Sequence, residues 1–316
     1  MPVARFRLIP RLLSWLAITV GACAAQGVGD GPLELDFTEL MQGKNVLFVG
    51  AHPDDEFEFA PMLAEACLFN GATCHFVIAS EAHSVGCSLA AEDTVDPDEC
   101  SEVRREEMRR SAALLGGEVT FFGWEDLFYS HDAAGLALNL AQWAADNGGH
   151  DALVARFRSV LDERQPDIVL TLDPRHGSSC HPNHRAVAKL LFEAIAGLPP
   201  STHPDVWLEA DFWIAERLEG ELKDIFMRGG IIPWPGVDTP LYWYDATKRL
   251  PNGHEAWDYL VEVQRVHRSQ FPSLADGRPA PWVPREFRRI PLVRAADIDP
   301  DDELCEPLGL AQPAGP

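Results

Sequence analysis

Positive charge is scarce in this chain. Lys and Arg number 26 against 49 Asp and Glu, a net charge of −23 over 316 residues. Such a field repels phosphate backbones and anionic lipid heads, so a nucleic-acid partner is not expected. A long hydrophobic run is also missing near the N-terminus. The stretch "LLSWLAITVGACAA" has 14 uncharged residues, short of the roughly 20 that span a bilayer. No C-x-x-C pair occurs, which removes the usual cysteine clip for structural zinc. No internal repeat and no linker divides the sequence, so a single domain is expected.

Hydrophobic residues make up 46% of the chain, enough for a sizeable core. Residues 1–25 read as an export signal, with Arg5, Arg7 and Arg11 ahead of the uncharged stretch. "VGAC" ending at Cys23 resembles a lipobox, which would leave a lipidated Cys23 as a membrane tether. "ACA" at 22–24 fits ordinary cleavage instead. Either way the protein is expected outside the cytoplasm: secreted, periplasmic or anchored as a lipoprotein. Beyond Cys23 six cysteines remain, and an even number in an exported chain suggests disulfides. Six cysteines allow 15 pairings. The local choices are Cys67–Cys74 and Cys87–Cys100, leaving Cys180 with Cys305; the alternative is that several are small buried apolar groups.

Four apolar runs read as strands: "NVLFVG" (45–50), "HFVIAS" (75–80), "VTFFG" (119–123) and "DIVLTLD" (167–173). Helical patterns cover 55–69, 101–115, 151–164 and 182–196, the last with Val187, Leu190, Leu191, Ala194 and Ile195 on one stripe. This alternation predicts an α/β fold, a Rossmann-like mostly parallel sheet with helices on both faces. Ligands in such sheets bind beyond the carboxyl ends of the strands. After Gly197 the pattern loosens. "DVWLEADFWI" (205–214) and "LYWYD" (241–245) are candidate strands, and 254–270 a helix. Residues 271–316, rich in Pro and Asp, read as a wrapping tail, with the main domain over 30–290 and the tail proper at 291–316. The Trp-containing segments suit a sugar-stacking surface or the core equally.

Two polar clusters follow the first and fourth strands. In "AHPDDE" (51–56), Pro53 stiffens the chain after His52. Asp54, Asp55 and Glu56 suit a helix start, with an aspartate as N-cap, but His52 at the mouth of a buried strand suggests more. In "HPNH" (181–184), His181 and His184 share one side of a helix start whose inward stripe continues into Val187 and Leu191. The helix dipole disfavours imidazolium there, which favours the neutral ring that binds metal. His52, Asp55 and His184 together supply three N/O ligands with an open fourth position, the pattern of catalytic zinc. Asp54 is then placed to take a proton from water, and His181 to support an oxyanion and protonate a leaving amine. Fe²⁺ uses similar donors in oxygenases, but with His-x-Asp spacing on antiparallel folds. His83 and His176 read more simply as exposed loop residues.

With these motifs the sequence resembles the PIG-L/LmbE-like family of zinc-dependent N-acetyl-sugar deacetylases. "AHPDDE" after a first strand and a later H-P-x-H carry the resemblance over residues 44–197. "RREEMRRSAALLGG" matches the family's R-x-x-E helix through Arg104 and Glu107, and "HRSQF" (267–271) an H-x-S-Q segment. The resemblance implies zinc on His52, Asp55 and His184, Asp54 as general base and His181 at the oxyanion. Arg104 would contact the sugar or brace the site. The implied substrate is a small molecule or glycan bearing an N-acetyl group; a hydrolase of another amide or ester, or a non-catalytic carbohydrate-binding protein, would suit the same scaffold. Asn183 departs from the family's Asp in H-P-D-H. It can orient a ring but adds no charge, so another group could take over that part.

Overall fold

Which helix packs on which face follows from strict alternation within the strands. A computed structural model describes residues 33–34, 36–80, 87, 97–127, 129–210, 239–275, 277, 285 and 288–305. The export signal, Cys23, His83, the end of the 205–214 segment and "IIPWPG" lie outside the described residues. The strands are β1 (Leu33–Glu34), β2 (Asn45–Gly50), β3 (Thr73–Ser80), β4 (Glu118–Trp124), β5 (Ile168–Thr171), β6 (Asp205–Glu209), β7 (Tyr242–Asp245) and β8 (Arg289–Arg294). The helices are α1 (Phe37–Met41), α2 (Ala60–Ala64), α3 (Pro97–Leu114), α4 (Ala133–Asp146), α5 (His150–Arg164), α6 (Gly177–Cys180), α7 (Pro182–Ala196), α8 (Trp257–Val266) and α9 (Pro272–Ala275).

Among the described residues all strands join one sheet in the order β1-β7-β8-β6-β5-β2-β3-β4. The run β6-β5-β2-β3-β4 is parallel throughout. The chain winds outward from β2 to β4, then returns to place β5 on the other side of β2. This is the expected Rossmann-like doubly wound sheet, with its switch point between β2 and β5. Val46, Phe48, Phe76 and Ile78 face a core that includes Leu63, Met108, Ala112 and Leu260. Their neighbours Leu47, Val49, Val77 and Ala79 face the opposite core, with Trp143, Phe157, Val187 and Leu191. Strands buried on both faces carry continuous apolar runs.

The structure departs from the expectations in four places. The expected helix 55–69 is broken into a 3-10 turn (Asp55–Phe57), α2 and a π turn (Glu65–Phe69), because its first residues are diverted into the turn described below. The helix expected over 254–270 covers only Trp257–Val266. Helix α4 was not anticipated: Gly135 interrupts its pattern, while Asp132 caps it by accepting from the Gly135 N–H. The sheet also continues beyond the expected boundary at 290. Strand β8 lies antiparallel between β6 and β7, and Pro291 within it masks the strand signal. The rest of the tail does wrap: Arg185 donates to Glu303, and Lys189 to the Pro300 carbonyl. All three expected disulfides are present, including Cys180–Cys305 beside that strap.

The "HRSQF" segment docks on two buried carboxylates. His267 Nε2 and Ser111 Oγ each lie 2.5 Å from Glu56 Oε1, and Glu107 accepts from the Ser269 N–H and hydroxyl. Burial opposes charge on His267, but Glu56 outweighs it and raises its pKa. His267→Ala would strand Glu56 in the core. Its unfolding free energy should fall by about 3–5 kcal/mol in urea titrations; a loss under about 1 kcal/mol would show that the pair contributes little.

Candidate active site

The turn after β2 is built around one carboxylate. Asp55 does not cap a helix; its Oδ2 accepts from the backbone N–H groups of Ala51 (2.6 Å) and His52 (2.9 Å). Gly50 makes room for this, since a Cβ there would lie 3.0 Å from Asp55 Cβ and 2.9 Å from the Phe48 ring. Asp54 carries the strain, with φ 131° and ψ −17°, a conformation costly for a non-glycine residue. Arg104 holds it there: one nitrogen, Nη2, donates to the Pro53 carbonyl (2.9 Å) and to Asp54 Oδ1 (3.1 Å). These two contacts brace the turn.

The turn after β5 delivers the histidines. Pro182 opens α7, and His181 caps it by accepting the Asn183 N–H at Nδ1 (3.2 Å). Three residues on, His184 Nδ1 lies 3.0 Å from the Gly177 carbonyl. Gly177 has φ 49°, and a Cβ there would come within 2.8 Å of His184 Cβ. His176, expected as exposed, is buried; it caps α6 and faces Asp173 at 3.4 Å.

These contacts fix the rings. A carbonyl can only accept, so His184 Nδ1 carries hydrogen and Nε2 offers a lone pair. His52 Nε2 lies 3.1 Å from Asp126 Oδ1, which likewise leaves Nδ1 as the lone-pair nitrogen. The two lone-pair nitrogens are 2.9 Å apart, and Asp55 Oδ1 lies 3.3 Å from the His184 nitrogen and 3.7 Å from that of His52. In the neutral rings these are three acceptor atoms in close convergence, an arrangement satisfied by a shared proton or by a metal cation. Tetrahedral zinc with bonds of about 2.0–2.1 Å spaces its ligands about 3.3 Å apart, so the donor set fits. His181 also belongs to the cluster: ring nitrogens of His52, His181 and His184 lie within 4.8 Å of one another. The structure therefore brings together His52, Asp54, Asp55, His181, His184 and Arg104.

Two neighbours escaped the sequence reading. Asp126 is buried and bonds His52 and Asn183; His131 places its ring 5.3 Å from that of His181. Asp126 follows β4 at the carboxyl edge of the sheet, the same positional signal that marks His52. Asn183 does not lean on the His181 ring but points its amide at Asp126 and His52.

Electrostatics separate the groups. Burial opposes charge on His52, yet Asp126 and Asp55 outweigh it and push its pKa up to about 10. Asp55 is buried as well, but His184 and His52 hold it well below the usual carboxylate range. Burial keeps His184 low against the pull of Asp55. Burial and three imidazole neighbours press His181 well below its ordinary value.

Fold and side chains define a doubly wound α/β protein with a cluster of histidines and aspartates at its switch point, three of whose histidines could hold a metal ion. Residues 47–195 match the PIG-L family model, described as GlcNAc-PI de-N-acetylase. The 1D-myo-inositol 2-acetamido-2-deoxy-alpha-D-glucopyranoside deacetylase of Mycolicibacterium vanbaalenii is 26% identical over 262 residues, 75% of this chain and 84% of that protein. The protein of the same name from Rhodococcus jostii is 27% identical over 200 residues, 61% of this chain and 68% of its own length. Among solved structures, N,N'-diacetylchitobiose deacetylase from Pyrococcus horikoshii is similar at 19% identity and a TM-score of 0.44, over 72% of this chain and 71% of that one.

Asp126 and Asp55 favour the protonated ring of His52, so a cation binding at Nδ1 competes with a proton there. Titration of chelator-treated protein with Zn²⁺ at pH 7.5 should release about one proton per ion, read from the dependence of calorimetric enthalpy on buffer ionisation. No release would contradict coordination by His52.

Proposed function

We propose that the protein is a metal-dependent N-deacetylase that removes acetate from an N-acetylated amino sugar or glycoconjugate, with zinc as its ion. The observation that carries this reading is the convergence of His52 Nδ1, Asp55 Oδ1 and His184 Nε2 next to Asp54. The PIG-L match and the activity for which the relatives are named support the reaction and the substrate class. The tautomers favour His52, Asp55 and His184 over the three histidines as the ligand set. His181 accepts a backbone hydrogen at Nδ1, so the neutral ring carries its own hydrogen on Nε2 and acts as a donor, not as a ligand.

A bound divalent cation supplies Lewis acidity, lowering the pKa of water and polarising a carbonyl. The residues do the rest. Asp54 keeps partial exposure, with 20% of its side-chain surface open, and accepts the proton of the attacking water. Burial raises its pKa to about 6 despite Arg104, so it is ionised at neutral pH. His181 donates from Nε2 to the carbonyl oxygen as charge grows there. Kept neutral by burial, His181 is a good hydrogen-bond donor and a poor acid. Asp54 then passes this proton to the departing amine while His181 holds the oxyanion. Arg104 maintains Asp54 in its strained turn. Three disulfides support an oxidising compartment and hence an exported protein.

Acetate release from a panel of N-acetyl sugars, with and without chelator, tests the reading; binding without acetate would point to a carbohydrate-binding protein, and turnover of other amides alone to a different hydrolase. Asp54→Ala should keep its metal and lose about 10²-fold or more in kcat. His184→Ala should lose the metal, and stoichiometric zinc in that variant would refute the ligand set. The acid limb of kcat/KM should lie at or below about pH 6, since Asp54 must be ionised and a neighbouring cation can only lower its pKa.

A further inference from the structure

Behind the cation cluster, three side chains from three separate elements meet out of solvent. His52 follows β2, Asp126 follows β4, and Asn183 lies in the first turn of α7. Asp126 Oδ1 is 3.1 Å from His52 Nε2 and 2.5 Å from Asn183 Nδ2, and that amide nitrogen is itself 3.0 Å from His52 Nε2. Asp126 is 2% exposed and Asn183 not at all.

His52 Nε2 thus has two neighbours with opposite demands. A carboxylate oxygen can only accept, and an amide nitrogen can only donate. When Nε2 donates to Asp126, Nδ1 keeps its lone pair and faces Asp55 and His184. If Nε2 accepted from Asn183, the hydrogen of the neutral ring would move to Nδ1 and block coordination. Asp126 resolves the conflict by satisfying both donors at one oxygen. We propose that Asp126 is a positioning residue that selects the cation-binding tautomer of His52, with Asn183 as its anchor. This rests on the reading of His52 as a metal ligand.

The arrangement holds one carboxylate, shared between two positions. Asp126→Asn removes the acceptor that compels Nε2 to donate. Asn183→Asp sets a second carboxylate within contact of the first. The exchange Asp126→Asn/Asn183→Asp restores a single carboxylate on the opposite side of the ring, since the atom at the Nδ2 position of residue 183 is also within hydrogen-bond distance of Nε2.

The test is zinc affinity of the full chain, by competition with a chromophoric chelator, for the natural sequence, both single variants and the exchange. Each single variant should bind about 10–100-fold more weakly, and the exchange should recover most of the loss. Circular dichroism and thermal midpoints establish that each variant is folded. Unchanged affinity in Asp126→Asn overturns the proposal, as does an exchange variant no better than the weaker single one. Should Asp126→Asn fail to fold, the exchange decides alone: affinity near that of the natural sequence supports the proposal, and a 10-fold or greater deficit overturns it. If the natural sequence itself holds no zinc, the reading of His52 as a ligand falls, an outcome distinct from all of these.

Discussion

The site depends on how the carboxylate of Asp55 is divided. One oxygen is spent on two backbone N–H groups at the end of β2, and this fixes the turn. The other is thereby aimed between two imidazoles. A carboxylate held this way cannot swing out to solvent, so its negative charge stays beside the imidazoles of His52 and His184. The strain displaced onto Asp54 and the brace from Arg104 follow from the same commitment.

The sheet makes the arrangement attainable. Because the winding reverses between β2 and β5, the chain after each strand diverges and leaves a crevice. His52 enters from one side, and His181 and His184 from the other. Asp126 arrives from β4, two strands away, and completes the rear of the cluster. Each contributor is attached to a strand end or a helix start, which positions side chains more rigidly than a free loop would.

Much of this was legible in the sequence, and the limits have physical causes. The strands of the parallel half were visible because burial on both faces forces unbroken apolar runs, as in "NVLFVG". The histidine pair was visible because its spacing put two polar rings on an inward stripe. Asp126 was not, because a lone acidic residue after a strand looks like any solvated loop, and only the folded chain shows it against His52. Asn183 could be noticed as a departure but not interpreted, since its partner comes from another element. Strand β8 was hidden by its proline and flanking arginines, and the α4 helix by Gly135. The breaks in the 55–69 helix reflect a tertiary demand, the turn of Asp55, that local propensity does not encode.

Strand β8 carries one further consequence. It sits inside the sheet between β6 and β7, although it comes from residues 289–294. On the ribosome the parallel half can pair early, but the antiparallel half must wait until residues 289–294 have been made. Pairings of such long sequence separation slow folding, and until β8 inserts, neighbouring strands present open edges that invite aggregation. Deleting residues 289–294 would thus remove an interior strand, and the expected loss is abrupt instead of gradual.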